Sequence, residues 1–565
     1  MADGSGTRPE TNLPSVMQKL QLQDYIVFLV YFIAVAGYGY WIYSRKRKSE
    51  IDSKDFFLAE GSLTWWAIGA SLIASNISAE QFIGMSGSGF AMGLAISSYE
   101  WMAAATLVVV AVFFLPIYLK NKIYTMPQFL SQRFSPLVAT LMAIFWLLVY
   151  VFVNLSAILH LGALAIEQIS GLNYTLCLVV LAVFAIFITL GGMKVIGYTD
   201  VIQVAVLVLG GLATTYLALD LVAQKFIPGG NVWDALGFLK SSADDHFHMI
   251  LNKDQLAMPD GKGGTKDAWM DLPGLSVLIG AMWIANLSYW GCNQYITQRA
   301  LGADLQTARS GLLFAAFLKL LMPVIVVLPG IAAYVLFKNG VFQQEMMVEF
   351  EGNQVVRSDK AYPVLLNLLP VGLKGLSFAA LTAAIVASLA GKANSISTIF
   401  SFDLYKKYFK RDATEKEMVF TGRIVVIVAM IIAILTAPQL KRFDQAFQFI
   451  QDFTGLISPG VMAIFMLGMF WRPASATAAL VAALCTIPLG LAFNEFMPDI
   501  PFLHRMGYVF LILCAIMIVI SLIRPRREGE GEVIVEQSMF GMSPRFIAGS
   551  ALVIGVLVAL YTVFW

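Results

Sequence analysis

The stretch SLIASNISAEQFIGMSG, residues 71–87, decides the fold. It sits in an apolar segment, yet it crowds Ser75, Asn76, Ser78, Glu80 and Gln81 into two turns. A helix facing lipid does not carry such a set, because an ionisable group at bilayer depth costs about 2.5 to 3.5 kcal/mol. Ser and Asn side chains also compete for the hydrogen bonds that propagate a helix. The stretch therefore predicts a helix interrupted near the midplane, with freed carbonyls available to a cation.

The rest of the chain supplies the membrane. Of 565 residues 58% are hydrophobic and 13% charged, against roughly 25% charged in soluble domains. A water-soluble globule is excluded, since a chain of this size still exposes a large surface. Runs long enough for a crossing helix of about 20 residues number about fourteen. They lie near 25–43, 63–85, 91–118, 137–165, 174–191, 197–222, 273–296, 311–337, 372–402, 420–438, 447–471, 475–495, 507–524 and 546–565, and are called segments one to fourteen below. None shows the alternation of a barrel strand, so the predicted class is an all-α integral membrane protein. The first twenty residues hold no apolar run, so segment one is expected to be a span and not a cleavable leader.

Thirty-eight basic and 36 acidic residues leave a net charge of +2. They are spread over loops, which argues against a nucleic-acid partner. Cys177, Cys292, Cys485 and Cys514 all lie in apolar segments without ligand spacing, so neither a disulfide framework nor a zinc site is indicated. The loop run Asp244, Asp245, His246 and His248 reads as a solvated surface rather than a metal cluster.

Short loops after odd-numbered segments concentrate the cations: Arg45, Lys46, Arg47, Lys48 and Lys54 after the first, Lys406, Lys407, Lys410 and Arg411 after the ninth, Arg524, Arg526 and Arg527 after the thirteenth. By the positive-inside rule these loops are cytoplasmic. Both termini and the long loops 223–272 and 338–371 then face outward.

Segment seven repeats the anomaly of segment two, with Asn286, Ser288, Tyr289, Trp290, Asn293 and Gln294. Five segments separate the two, as in a pair of five-helix repeats of inverted topology. Further ionisable residues at depth are Glu100, Lys319 and Lys392, with Asp200 and Asp403 nearer segment ends. Amides, a carboxylate and an ammonium beside aromatic rings match a neutral polyol, whose hydroxyls take polar partners while its apolar face takes a ring. Helix-to-helix polar glue explains any one amide; it does not explain a buried Glu together with a buried Lys. His160 in segment four reads as a satisfied core residue.

At these residues the chain resembles the sodium/glucose cotransporter family of solute:sodium symporters, most closely its bacterial sodium/galactose members. The resemblance runs from about Asp24 to Trp565, with its most specific stretches at residues 70–101, 285–299 (ANLSYWGCNQYITQR), 383–405 and 445–459 (QAFQFIQDFTGLISP). It implies an outer tail over 1–24, a peripheral segment and inner loop over 25–62, a first repeat over 63–222, an outer loop over 223–272, a second repeat over 273–471 and peripheral segments over 472–565. It also implies monosaccharide contacts at Asn76, Gln81, Glu100, Asn286, Lys319 and Gln451, and an aromatic gate at Tyr289 with Trp290 beside it. A further family hydroxyl contact falls on Ala103, which has none to offer. The implied sodium site uses carbonyls of Ala74, Ile77 and Ala384 and the Ser388 hydroxyl. Where the family has adjacent serines this chain has Ala387-Ser388, and one turn on stands Lys392. Asp200 matches an acidic residue on the inward sodium path, so Asp200 and Lys392 are the coupling candidates.

The function expected is sodium-coupled uptake of a galactose- or glucose-like sugar by alternating access. One charge moving through 100 mV supplies about 2.3 kcal/mol, and a tenfold sodium gradient about 1.4. The alternatives are proton-coupled or sodium-independent sugar transport, prompted by Ala387 and Lys392, and a transporter-like sensor. No nucleophile–base pair or metal set points to an enzyme. With Lys392 bonded to helix-end carbonyls or a carboxylate, sodium coupling is retained with one weakened ligand.

Overall fold

The computed structural model describes residues 20–45, 57, 63–260, 263–350, 352–367, 369–442, 446–526, 531 and 533–565. The inner-loop cations Lys46, Arg47, Lys48, Lys54 and Arg527 and most of the 1–24 tail lie outside the described residues. What is described is overwhelmingly helical, with two short hairpins, Ala257–Pro259 with Thr265–Asp267 and Met347–Phe350 with Asn353–Val356, in the two long loops. By length and hydropathy 11 helices can cross a bilayer, or 12 if Ala268–Ile279 and Ala281–Gly291, bent by 78°, form one span. The expected count of about fourteen is not reached on these criteria, for three reasons. Segment five is a helix of only 16 residues, Tyr174–Thr189. Segment seven is the bent pair. The first half of segment two, Trp65–Asn76, has 12 residues, and its second half runs on from Glu80 into segment three.

Segment two breaks where its side chains predict. Trp65–Asn76 ends with Ile77 in extended backbone, and a π-helical turn, Glu80–Met85, follows. The Gln81 side-chain carbonyl accepts from Ser78 N at 3.0 Å and so caps a donor that the break exposes. Segment seven is interrupted twice, at Gly280 and again between Ala281–Gly291 and Gln294–Leu301. At the second break the Tyr118 hydroxyl donates to Gly291 O at 2.7 Å, and Tyr150 donates to the Asn293 side chain. The freed backbone is thus satisfied by neighbouring helices rather than by lipid.

Segments two and eight, the latter being the helix Leu305–Lys338, approach at backbone distance. A Cβ on Gly69 would lie 2.7 Å from Gly311 O, and one on Gly330 would lie 2.1 Å from Ser86 O. Only hydrogen fits at either position.

On the face that holds the long loops, Gly93 turns the chain with φ +67, and a Cβ there would lie 2.2 Å from His246 O. His246 is not the solvated residue that its loop suggested. It is buried, stacked on Tyr334 with ring centroids 3.9 Å apart, and its Nδ1 and Nε2 face Asp245 Oδ1 at 3.0 Å and Phe90 O at 3.2 Å. Burial pulls its imidazole below the ordinary range despite the carboxylate. The folded state therefore takes up the proton less readily than the unfolded chain. The attachment is intact above the ordinary histidine pKa of about 6.5 and weakens as pH falls below it. His246→Ala is expected to cost about 2 kcal/mol through the lost ring contact and hydrogen bonds. Thermal unfolding in detergent from pH 5 to 8 should show a lowered and flatter profile for the variant; an unchanged profile would mean that the loop is held by other contacts.

Candidate functional site

Between the two interrupted helices lies a cavity of about 110 Å³. All six residues expected to contact a sugar, Asn76, Gln81, Glu100, Asn286, Lys319 and Gln451, line it, as do Tyr289, Trp290 and Ala103. They come from segments two, three, seven, eight and eleven, so the fold collects residues up to 375 positions apart (451 − 76).

Lys319 organises one wall. Its ammonium is 2.5 Å from Glu100 Oε2, donates to the Asn76 side-chain oxygen and lies 5.2 Å from the Trp290 ring centroid. Both charges are almost fully buried. Such a pair is stable only when its remaining hydrogen-bonding positions are filled, and Asn76 fills one. The Asn76 amide also donates to the Tyr289 hydroxyl at 3.2 Å, and the Tyr289 and Trp290 rings meet edge to face at 5.2 Å. Asn286 is partly committed, donating to Met282 O at 3.1 Å. Gln81 spends its carbonyl on the helix break, which leaves its amide N–H groups for the cavity. Gln451 lines the cavity from the helix Ala446–Phe470.

Beside the cavity the chain forms a cradle of carbonyls. Ser388 Oγ reaches Ser75 O at 2.9 Å and Ala74 O and Ile77 O at 3.3 Å each. Three backbone oxygens freed by the break converge on one hydroxyl. Ala74 and Ile77 were expected there. Ser75 was not, and the Tyr295 hydroxyl also donates to its carbonyl. Ala384 lies one turn before Ser388 and is buried. The neighbouring position is Ala387, also buried, which adds no oxygen.

The two coupling candidates separate. Asp200 Oδ2 accepts from Ser71 Oγ at 2.5 Å, and Arg299 Nε donates to the same hydroxyl at 2.9 Å. This buried relay sits three to six residues before the cradle carbonyls along segment two, tied to them by Ser75 Oγ, which donates to Ser71 O at 2.6 Å, and it does not line the cavity. Lys392 does line the cavity; its Nζ is 3.5 Å from Glu80 Oε1 and 5.3 Å from the Tyr295 ring centroid. It faces a carboxylate as an ion pair, as its burial far from an aqueous face requires. His160 hydrogen-bonds the Tyr174 hydroxyl at 2.8 Å in the core. Asp403 is joined to Thr125 at 3.3 Å, away from the cavity.

A bundle with two interrupted helices, a polar cavity between them and a carbonyl cradle at the break defines a secondary transporter that carries an ion with its solute. Residues 56–485 match the sodium:solute symporter family, and the chain belongs to that family. It is a multi-pass membrane protein that couples solute movement to sodium. It is 44% identical over 560 residues, 98% of this chain and 100% of the other, to a sodium/glucose cotransporter of Vibrio parahaemolyticus. It is 34% identical over 494 residues to the human sodium/myo-inositol cotransporter 2, covering 84% of this chain and 70% of that one. The fold superposes on a Na+-coupled sialic acid symporter in a substrate-bound outward-open state with a TM-score of 0.74 at 22% identity, covering 89% of this chain and 98% of that one.

Proposed function

We propose that this chain carries a neutral monosaccharide of the galactose or glucose type, unaltered, into the cell together with sodium. The observation that supports this best is the wall formed by Lys319, Glu100 and Asn76 against Trp290 and Tyr289, a hydroxyl-binding edge facing an aromatic surface. The likeness to sugar and inositol cotransporters points the same way. In this reading Asn76, Gln81, Glu100, Asn286, Lys319 and Gln451 hold the sugar hydroxyls, Tyr289 with Trp290 closes the inner side, and the carbonyls of Ala74, Ile77 and Ala384 with Ser388 hold sodium. Ser75 O joins that set. Asp200, with Ser71 and Arg299, lies on the exit path of the ion. Both termini face the extracytoplasmic side of a bacterial inner membrane; the loop cations support the orientation, and the Vibrio relative supports the membrane. The repeats extend over 63–222 and 273–471.

The ordering of events follows from the geometry. Filling the cradle fixes the broken end of segment two, and that end carries Asn76 and Gln81 into the cavity. Ion binding thus prepares the sugar site, and by linkage the sugar raises the ion's affinity by the same factor. Uptake of labelled galactose into proteoliposomes under an imposed sodium gradient tests the whole reading. Accumulation that needs the sodium gradient is expected; accumulation driven by a pH gradient and indifferent to sodium would overturn the coupling.

Tyr289→Phe should retain most of the affinity, because the ring supplies the apolar contact and loses only the hydrogen bond to Asn76, about 1 kcal/mol. Tyr289→Ala should lose about 3 kcal/mol or more. Equal impairment of the two variants in equilibrium sugar binding would refute the stacking role.

A further inference from the structure

The cavity contains a second charge pair that the sugar contacts above do not include. Glu80 and Lys392 come from segments two and nine, 312 positions apart (392 − 80), and both line the cavity. The Glu100–Lys319 pair is closed at 2.5 Å, whereas this one stands at 3.5 Å. Glu80 Oε1 is buried and has no hydrogen-bond partner among the described residues. Lys392 is only 4% exposed, and its ammonium otherwise meets the face of the Tyr295 ring. A buried carboxylate oxygen and a buried ammonium, each short of partners and both opening on one cavity, form an incomplete hydrogen-bonding edge.

We propose that Glu80 and Lys392 form a second hydroxyl-binding subsite of the transported polyol. One ligand hydroxyl donates its proton to Glu80 Oε1 and accepts from Lys392 Nζ. The separation suits this bridge: a hydroxyl oxygen about 2.8 Å from each heavy atom completes a triangle on the 3.5 Å base. A hydroxyl is the group that supplies donor and acceptor from one atom. A carboxylate ligand would meet repulsion from Glu80, and an ammonium ligand repulsion from Lys392, so the pair selects for a neutral hydroxyl.

The inference rests on the sugar reading of the cavity, and the test separates the two. Wild type and the charge-neutral double variant Glu80→Gln/Lys392→Met are reconstituted in proteoliposomes with a sodium gradient. Labelled galactose uptake is then competed by galactose and by its 2-, 3-, 4- and 6-deoxy analogues. For wild type, loss of the hydroxyl that reaches the pair should weaken competition about tenfold, and in the double variant that one penalty should fall to about twofold while the others stay. Identical penalties at every position in both proteins would overturn the subsite, as would a variant whose only change is in its sodium requirement. Failure of galactose and glucose to be taken up by wild type, or to compete, would remove the sugar reading itself. Should the double variant not yield folded protein by thermal unfolding, Glu80→Asp keeps both charges and withdraws the carboxylate by one methylene. The same single penalty should then collapse, and its persistence would equally overturn the proposal.

Discussion

Glu100→Ala is expected to abolish uptake at low sugar concentration and to destabilise the folded protein by about 3 to 5 kcal/mol, because it strands a buried ammonium. Lys319 is 1% exposed, and its charge is balanced by Glu100 at 2.5 Å. Asn76 is a neutral acceptor and cannot take over that balance. Lys319→Met alone should be as damaging, since it strands the carboxylate. The double variant Glu100→Gln/Lys319→Met removes both charges and should recover most of the stability without recovering transport. Thermal unfolding and uptake measured on the three variants separate the structural role from the binding role. Transport by the neutral double variant at wild-type affinity would show that the pair only holds the helices together.

Ser388→Ala should raise the sodium concentration for half-maximal uptake at least tenfold, about 1.4 kcal/mol per decade. Its hydroxyl lies among the carbonyls of Ala74, Ser75 and Ile77. As found, it donates a hydrogen bond into that cradle; rotation about its C–O bond turns a lone pair inward when a cation is present. Alanine removes this oxygen and leaves the backbone oxygens in place. Ala387→Ser, one residue earlier, should act in the opposite direction and strengthen sodium binding. A sodium dependence unchanged in Ser388→Ala would move the cation site away from the break.

Much of this was legible in the chain before folding. The class followed from composition, and the break in segment two from Ser75, Asn76 and Ser78, because local side-chain competition with the backbone is a short-range effect. Five of the six cavity residues declared themselves by being polar at bilayer depth; Gln451 came from the family resemblance alone. Other features depend on tertiary geometry. That Ser75 contributes a carbonyl depends on how far the helix unwinds, which its side chain does not encode. That Gln81 turns its carbonyl onto Ser78 N follows only once the break exists. Glu80 and Lys392 were each visible as costly residues, but their pairing required the packing of segment two on segment nine. Asp200 with Ser71 and Arg299 is of the same kind. The burial of His246 was hidden by its polar loop: the turn at Gly93 makes room for it, and nothing near His246 in sequence reports that turn. The fourteen apolar runs reduce to 11 or 12 candidate spans because criteria of length and hydropathy pass over helices that are short or bent, and a run of apolar residues does not report a bend.

The glycine contacts between segments two and eight have a kinetic meaning. With Gly69 against Gly311 and Gly330 against Ser86, these two helices are riveted at two levels and travel as one piece; neither can slide without colliding with the other's backbone. Segment nine has no such rivet to segment two at the cradle. There the joining groups among the described residues are Ser388, whose hydroxyl rests among three carbonyls of the other piece, and, one turn on, Lys392 facing Glu80. The cradle therefore straddles a seam in the machine, and an ion seated in it is a clasp. While the clasp is shut the pieces share one alignment, and once it opens toward the inside they are free to part. The dwell time of the ion, more than the strength of any sugar contact, would then set how long each turnover stays loaded.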